Sequence, residues 1–118
     1  MDLKKRTKIF ALEIKKMVDS LPNSKISHVI SNQILRSATS VGANYRAVTR
    51  AKSDKDFINK LKICEEESDE TIYWLELIEE AGLLKNDVTN KLLKEADELT
   101  AIFVSSINTK KSKINSNK

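Results

Sequence analysis

Apolar side chains recur along this chain of 118 residues at alternating steps of three and four, the spacing of one face of an α-helix. The first such segment covers residues 2–21, and Pro22 follows it directly. Because proline cannot continue a helix, we predict that the first helix ends before this residue. Its apolar stripe consists of Leu3, Phe10, Ile14, Met17 and Leu21.

Two longer segments carry small side chains in the middle of their stripes. The second helix is predicted from about Lys25 to Arg50, with the stripe Ile30, Ile34, Ser37, Val41, Asn44 and Val48. The third is predicted to begin at a Ser53 cap and to end at Gly82, with the stripe Phe57, Leu61, Cys64, Ser68, Thr71, Leu75 and Ile78. Small side chains let two backbones approach closely, so we expect these helices to pack on each other.

A fourth helix is predicted from Asn86 or Asp87, with the stripe Leu92, Ala96, Leu99, Phe103 and Ser106. Four helices joined by short loops predict an all-α fold, an elongated antiparallel up-down-up-down four-helix bundle over residues 1–107. Residues 108–118 are mainly lysine, serine and asparagine, so we expect a basic disordered tail there.

Composition narrows the class of protein. With two glycines and one proline the chain favours long helices, and its single cysteine, Cys64, excludes an internal disulfide. No apolar run approaches the roughly 20 residues of a membrane span, and the basic N-terminus lacks the apolar core of a secretory signal. We therefore expect a cytoplasmic protein with no membrane partner.

Charge is distributed unevenly along the chain. Residues 1–60 carry 13 basic and 5 acidic side chains, residues 61–107 carry 4 and 12, and the tail carries 4 lysines and no acid. This asymmetry predicts either a basic surface for RNA or DNA, or complementary surfaces for self-association. The basic side chains of the first helix are either phosphate contacts or a solvated face: Lys4, Lys5, Arg6, Lys8, Lys15 and Lys16.

Carboxylates cluster on the third helix. Glu-x-x-His pairs of the di-iron kind are missing, because His28 is the only histidine, so we expect no metal, no cofactor and no catalytic residue. Ion pairing between the second and third helices is the better explanation. The candidate cations are Arg36, Arg46 and Arg50, and the candidate acids are Glu66, Glu67, Asp69 and Glu70.

Three aromatic residues lie outside the phenylalanine positions of the stripes: Tyr45, Tyr73 and Trp74. Tyr45 precedes Arg46, a local composition that suits stacking of nucleic-acid bases. Tyrosine and tryptophan are also enriched at subunit interfaces. Because one stripe per helix fills a small bundle, we favour the interface for the extra apolar side chains.

Two blocks carry a family resemblance: RSATSVGANYRA at 36–47, and DFI at 56–58 followed by EEESDETIYWLEL at 65–77. They resemble the four helix bundle protein family, also called 23S rRNA intervening-sequence proteins, over about residues 5–107. The resemblance implies small bacterial antiparallel bundles that assemble into ring-like homopentamers. A similar bundle, the accessory variability protein of diversity-generating retroelements, is also a pentamer and binds nucleic acid and a reverse transcriptase. The family supplies no catalytic residues.

The primary hypothesis is therefore a non-enzymatic homo-oligomeric bundle that binds RNA or DNA through the basic residues of the first helix. The alternative is a homo-oligomeric scaffold or adaptor for another protein, without nucleic-acid binding.

Overall fold

The computed structural model describes residues 1–117, which form four α-helices. They are α1 (Leu3–Asp19), α2 (Lys25–Val48), α3 (Asp54–Glu80) and α4 (Asn86–Ser116). Each helix packs against its neighbour in the chain, and α1 also approaches α4, which closes an antiparallel four-helix bundle. The molecule measures 55 × 25 × 20 Å, so the predicted elongated bundle is confirmed.

Side-chain caps set the starts of the first three helices. Asp2 accepts a hydrogen bond from the backbone nitrogen of Lys5, and Ser24 accepts one from Ser27. Ser53 caps α3 as predicted, while the Asp56 carboxylate accepts from the backbone nitrogen of Lys52. These bonds satisfy amide groups that the first turn of a helix leaves unpaired.

Gly82 ends α3 with a φ of 66°, the left-handed conformation that glycine adopts most readily. The backbone nitrogen of Leu83 then donates to the carbonyl oxygen of Ile78, which satisfies a carbonyl at the helix end. The chain therefore reverses sharply and reaches α4 at Asn86.

The core follows the predicted stripes with a few substitutions. Thr7 fills the gap between Leu3 and Phe10 and is fully buried, whereas Asn44 is half-buried. The amide of Asn44 donates to the backbone carbonyl and the hydroxyl of Ser40, each at 2.8 Å, so it finds its partners within α2. The buried apolar residues of the stripes belong to one continuous core.

Small side chains bring the helices together at three levels. Ser37 and Thr71 share a hydrogen bond of 2.8 Å between α2 and α3, as the small-residue pattern predicts. Ser68 makes a similar bond of 2.7 Å to Thr100 of α4. Gly42, in contrast, faces Thr7 of α1, so the narrow part of α2 serves two neighbours.

The fourth helix differs from the sequence prediction at its end. It continues to Ser116, whereas a disordered tail was predicted from residue 108. The extension has partners: the Lys110 ammonium lies 2.8 Å from the Asp54 carboxylate and 5.3 Å from the centre of the Phe57 ring. The predicted disorder of Lys118 lies outside the described residues.

Candidate nucleic-acid interface

Arg6 joins α1 to α4 through a two-pronged ion pair. Its Nε donates to Glu95 at 2.8 Å, and its Nη2 donates to Glu95 at 2.7 Å and to Glu98 at 3.2 Å. The hydrogen bond from Arg6 lowers the pKa of Glu95, and the same bond raises the pKa of Arg6. This differs from the predicted phosphate contact, because the guanidinium already has carboxylate partners.

Three other basic residues of α1 share a surface cleft with a residue of α2. Lys4, Lys5, Lys8 and Arg46 line a cleft of about 270 Å³, together with Asp2. All four cations are exposed, and none of them pairs with a carboxylate of residues 1–117. We call this surface the basic cleft.

Arg46 was predicted to pair with the acids of α3, and the structure places it beside α1 instead. Arg36, ten residues or almost three helical turns earlier along α2, makes the cross-helix contact. Residues 36 and 46 differ by ten positions, a rotation of about 1,000° at 3.6 residues per turn, so they point to different sides of the helix. Helical phase, read from the sequence, could have separated these two arginines.

Lys15 and Lys16 do not join the basic cleft. They lie seven and eight residues after Lys8, about 10–12 Å further along α1. Lys15 pairs with Asp19 at 2.7 Å on the helix surface, and Lys16 is exposed. The predicted phosphate contacts of the first helix therefore lie in three different places: the ion pair with α4, the basic cleft, and the surface further along α1.

The carboxylate cluster on α3 is engaged by one arginine. Arg36 donates to Glu67 at 3.1 Å and also pairs with Glu70. Glu70 further accepts from the Trp74 indole at 3.0 Å, and this bond is the largest cause of the lowered pKa of Glu70. The remaining predicted members of the cluster make no ion pair within residues 1–117; they are Arg50, Glu66 and Asp69.

The three aromatic residues outside the phenylalanine positions differ in exposure. Tyr45 packs within the bundle with its ring centre 6.1 Å from that of Phe103, and burial raises its pKa. Tyr45 is half-buried, so part of its ring is covered by the bundle. Tyr73 stays 53% exposed and meets the half-buried Trp74 edge to face at 4.9 Å.

An apolar strip runs along α2 and α3 beside this pair. The Arg36–Glu70 ion pair sets the antiparallel register on this face, which places Val29, seven residues before Arg36, level with Leu77, seven residues after Glu70. Val29 is 56% exposed and Ile26 46%. We call this surface the α2–α3 strip, and it consists of Ile26, Val29, Tyr73, Trp74 and Leu77.

The other candidate chemical groups have structural surroundings. Cys64 is fully buried in the α2–α3 seam, 3.8 Å from the carbonyl oxygen of Val41, and burial raises the pKa of its thiol to about 12. His28 is exposed. Within residues 1–117 no three histidine, cysteine or acidic side chains are grouped to hold a metal ion. None of the helices in that range is long and apolar enough to cross a membrane.

Comparisons with known proteins identify a similar structure and a family for this chain. No curated protein sequence matches it. A crystal structure of a protein of unknown function from the S23 ribosomal protein family of Bacteroides thetaiotaomicron superposes with a TM-score of 0.83 and 37% sequence identity. The match covers 90% of this chain and 98% of that one. The profile of the 23S rRNA-intervening sequence proteins matches residues 1–105, and the chain therefore belongs to that family.

Proposed function

We propose that this protein is a non-enzymatic, homo-oligomeric bundle of the bacterial cytoplasm that binds RNA or DNA through phosphate contacts. The observation that carries the proposal is the basic cleft, in which α1 and α2 together present four exposed cations. Lysine and arginine side chains without carboxylate partners can replace the counterions around phosphates, and the released ions favour binding.

The proposal makes affinity depend on salt. If all four cations contact phosphates, the logarithm of the binding constant should fall with the logarithm of salt concentration with a slope of about −3 to −4. Phosphate contacts carry no base information, so affinity should vary little with sequence.

The test replaces Lys4, Lys5, Lys8 and Arg46 together by glutamine and measures binding to a labelled RNA hairpin by fluorescence anisotropy. We expect affinity at low salt to fall by about tenfold or more and the salt slope to become shallower. The matched control removes four charges elsewhere, at Lys15, Lys16, Lys25 and Lys85. Equal losses in both variants would show that total charge, and not the basic cleft, governs binding.

The second candidate is a homo-oligomeric scaffold or adaptor for a protein partner, supported by the α2–α3 strip. Exposed apolar side chains at adjacent positions are typical of protein interfaces. The resemblance of the chain to ring-forming bundles makes a homopentamer the expected assembly. Assembly would also repeat the basic cleft in each subunit, so the two candidates are compatible.

Light scattering coupled to gel filtration tests the assembly. Val29→Glu with Tyr73→Glu should reduce the particle to a monomer, because charges placed in an apolar interface lose their hydration. Leu12→Glu is the control, since Leu12 is 60% exposed on α1, away from the strip. A double variant with unchanged mass would exclude the strip as the subunit contact.

A further inference from the structure

Antiparallel topology gathers basic residues from distant parts of the chain at one end of the bundle. The start of α1, the α2–α3 turn and the last turns of α4 all lie there. Residues 2–8, 46–55 and 105–117 carry eleven lysines and arginines and two acids. At the opposite end, residues 17–30 and 74–92 carry three basic and five acidic side chains. We call the first of these surfaces the basic end.

Three clefts lie at this end, and two of them share residues. Arg46 lines the basic cleft, while Val48 and Thr49, within the next turn of α2, line a neighbouring cleft with Lys52 and Lys110. Lys110 in turn lines a third cleft, together with Lys113 of α4. Cations from α1, α2, the turn and α4 therefore line clefts at the same end of the bundle.

The last turns of α4 extend this surface beyond the part of the chain that the family profile covers, which stops at residue 105. Lys110 is committed to Asp54 and to the Phe57 ring. Lys111 and Lys113 are exposed and pair with no carboxylate of residues 1–117. Lys110 thus connects the end of α4 to the start of α3, and the two neighbouring lysines remain available to a ligand.

The aromatic rings at the basic end are buried or half-buried. Tyr45 packs against Phe103, and Phe57 is half-buried beneath the Lys110 ammonium. The exposed Tyr73 lies 19 residues after Asp54, about 28 Å along α3. Proteins that hold single strands add stacking of bases on exposed aromatic rings to phosphate contacts. The basic end offers charge without such a stacking surface.

We propose that the basic end binds the phosphate backbone of a double-stranded nucleic acid in preference to a single strand. This inference rests on the proposed function and specifies its substrate class. The short dimensions of the bundle are 25 and 20 Å. Because phosphates recur every 3.4 Å along each strand, the end can span about six or seven of them. A duplex hides its bases and presents its phosphates, which matches a surface with many cations and no fully exposed aromatic ring.

The test compares labelled 20-base-pair RNA and DNA duplexes with their separated strands, by anisotropy at two salt concentrations. The full-length protein should bind a duplex about tenfold tighter than a single strand, because a duplex has about twice the phosphate density. Lys52→Gln, Lys111→Gln and Lys113→Gln combined should weaken duplex binding by about tenfold and flatten the salt slope by about 2 to 3. Lys25→Gln, Lys85→Gln and Lys91→Gln, at the opposite end, form the matched control.

The outcomes separate this inference from the proposed function. Equal or tighter binding of single strands overturns the duplex preference, and a triple variant no weaker than its control overturns the role of the turn and of α4. In both cases the proposed function stands if the basic-cleft variant still loses affinity. Absence of binding to every probe at low salt overturns both. The RNA and DNA duplexes show which source of the backbone is preferred, and urea unfolding midpoints show that each variant is folded.

Discussion

Thr7 lies directly against Gly42 where α1 crosses α2. A Cβ atom on Gly42 would meet the Thr7 hydroxyl at 3.3 Å and its carbonyl carbon at 3.6 Å. The hydroxyl cannot move away freely, because it donates to the carbonyl oxygen of Leu3 at 2.7 Å. Glycine costs about 1 kcal/mol relative to alanine inside a helix, so close packing is the physical reason for its presence here.

Gly42→Leu should destabilise the protein by about 2–3 kcal/mol, since the larger side chain forces α1 away from α2. Gly42→Ala should change stability by less than about 1 kcal/mol, because better helix propensity offsets the tight contact. Urea unfolding measures both. Ala43→Leu is the control at the adjacent exposed position and should be nearly neutral. A mild effect of Gly42→Leu would contradict the close approach.

Arg6 and Glu95 should prove coupled in a double-mutant cycle. The two side chains are 27% and 29% exposed, and their hydrogen bonds are two-pronged, so we expect a coupling energy of about 1 kcal/mol. Arg6→Gln, Glu95→Gln and the double variant supply the cycle from urea unfolding. Strictly additive losses would mean that the pair contributes nothing to the α1–α4 contact.

Stability should fall in acid through Glu70 and Glu95. Both pKa values are lowered from the ordinary 4.5, the first mainly by the Trp74 hydrogen bond and the second by that of Arg6. The unfolded chain therefore binds more protons, and the stability that these carboxylates contribute is present above pH 4.5 and lost as pH falls through their lower folded values. Each contributes less than about 1 kcal/mol, since both remain partly exposed.

The pH dependence is measured by urea unfolding between pH 7 and pH 3. Glu70→Gln with Glu95→Gln should be less stable at pH 7 and should lose less stability on acidification than the parent protein. Glu66→Gln with Glu76→Gln is the control, since both residues are exposed. Parallel pH profiles for the parent and the Glu70–Glu95 variant would rule out this linkage.

Lys110→Met should loosen the end of α4, because it removes the ion pair with Asp54 and the contact of the cation with the Phe57 ring. Amide hydrogen exchange over residues 108–116 should become faster, while the bundle core should keep its protection. The expected loss of global stability is below about 1 kcal/mol. Lys111→Met, on an exposed position next to it, should leave exchange unchanged, and the same acceleration there would point to general fraying.

The fold could be predicted because the residues that define each helix lie close together in the sequence. The stripes of α2 and α3, the Ser53 cap and the Gly82 terminus depend on neighbouring residues, so sequence spacing was enough to place them. The end of α4 could not be placed in this way. From the sequence alone, polar helical turns and a disordered tail look the same. The partners of Lys110, Asp54 and Phe57, lie more than 50 residues earlier, and only the structure shows that they are beside it.

The candidate interface was harder to predict than the fold, since it depends on which side of a helix each cation faces. From the sequence we grouped Arg6 with the lysines of α1 as phosphate contacts. In the structure Arg6 pairs with Glu95, and Arg46 lies beside the lysines instead. Only the positions of α2 and α4 around α1 decide between a carboxylate partner and open solvent.

Because Cys64 is buried, the reactivity of the single thiol of the chain reports on local opening of the bundle. Alkylating reagents attack the thiolate, and the side chain is shielded while α2 and α3 stay together. Each labelling event therefore requires a separation of these two helices, so the labelling rate reports how often they open locally. The unmodified protein therefore contains a probe of local opening in its core.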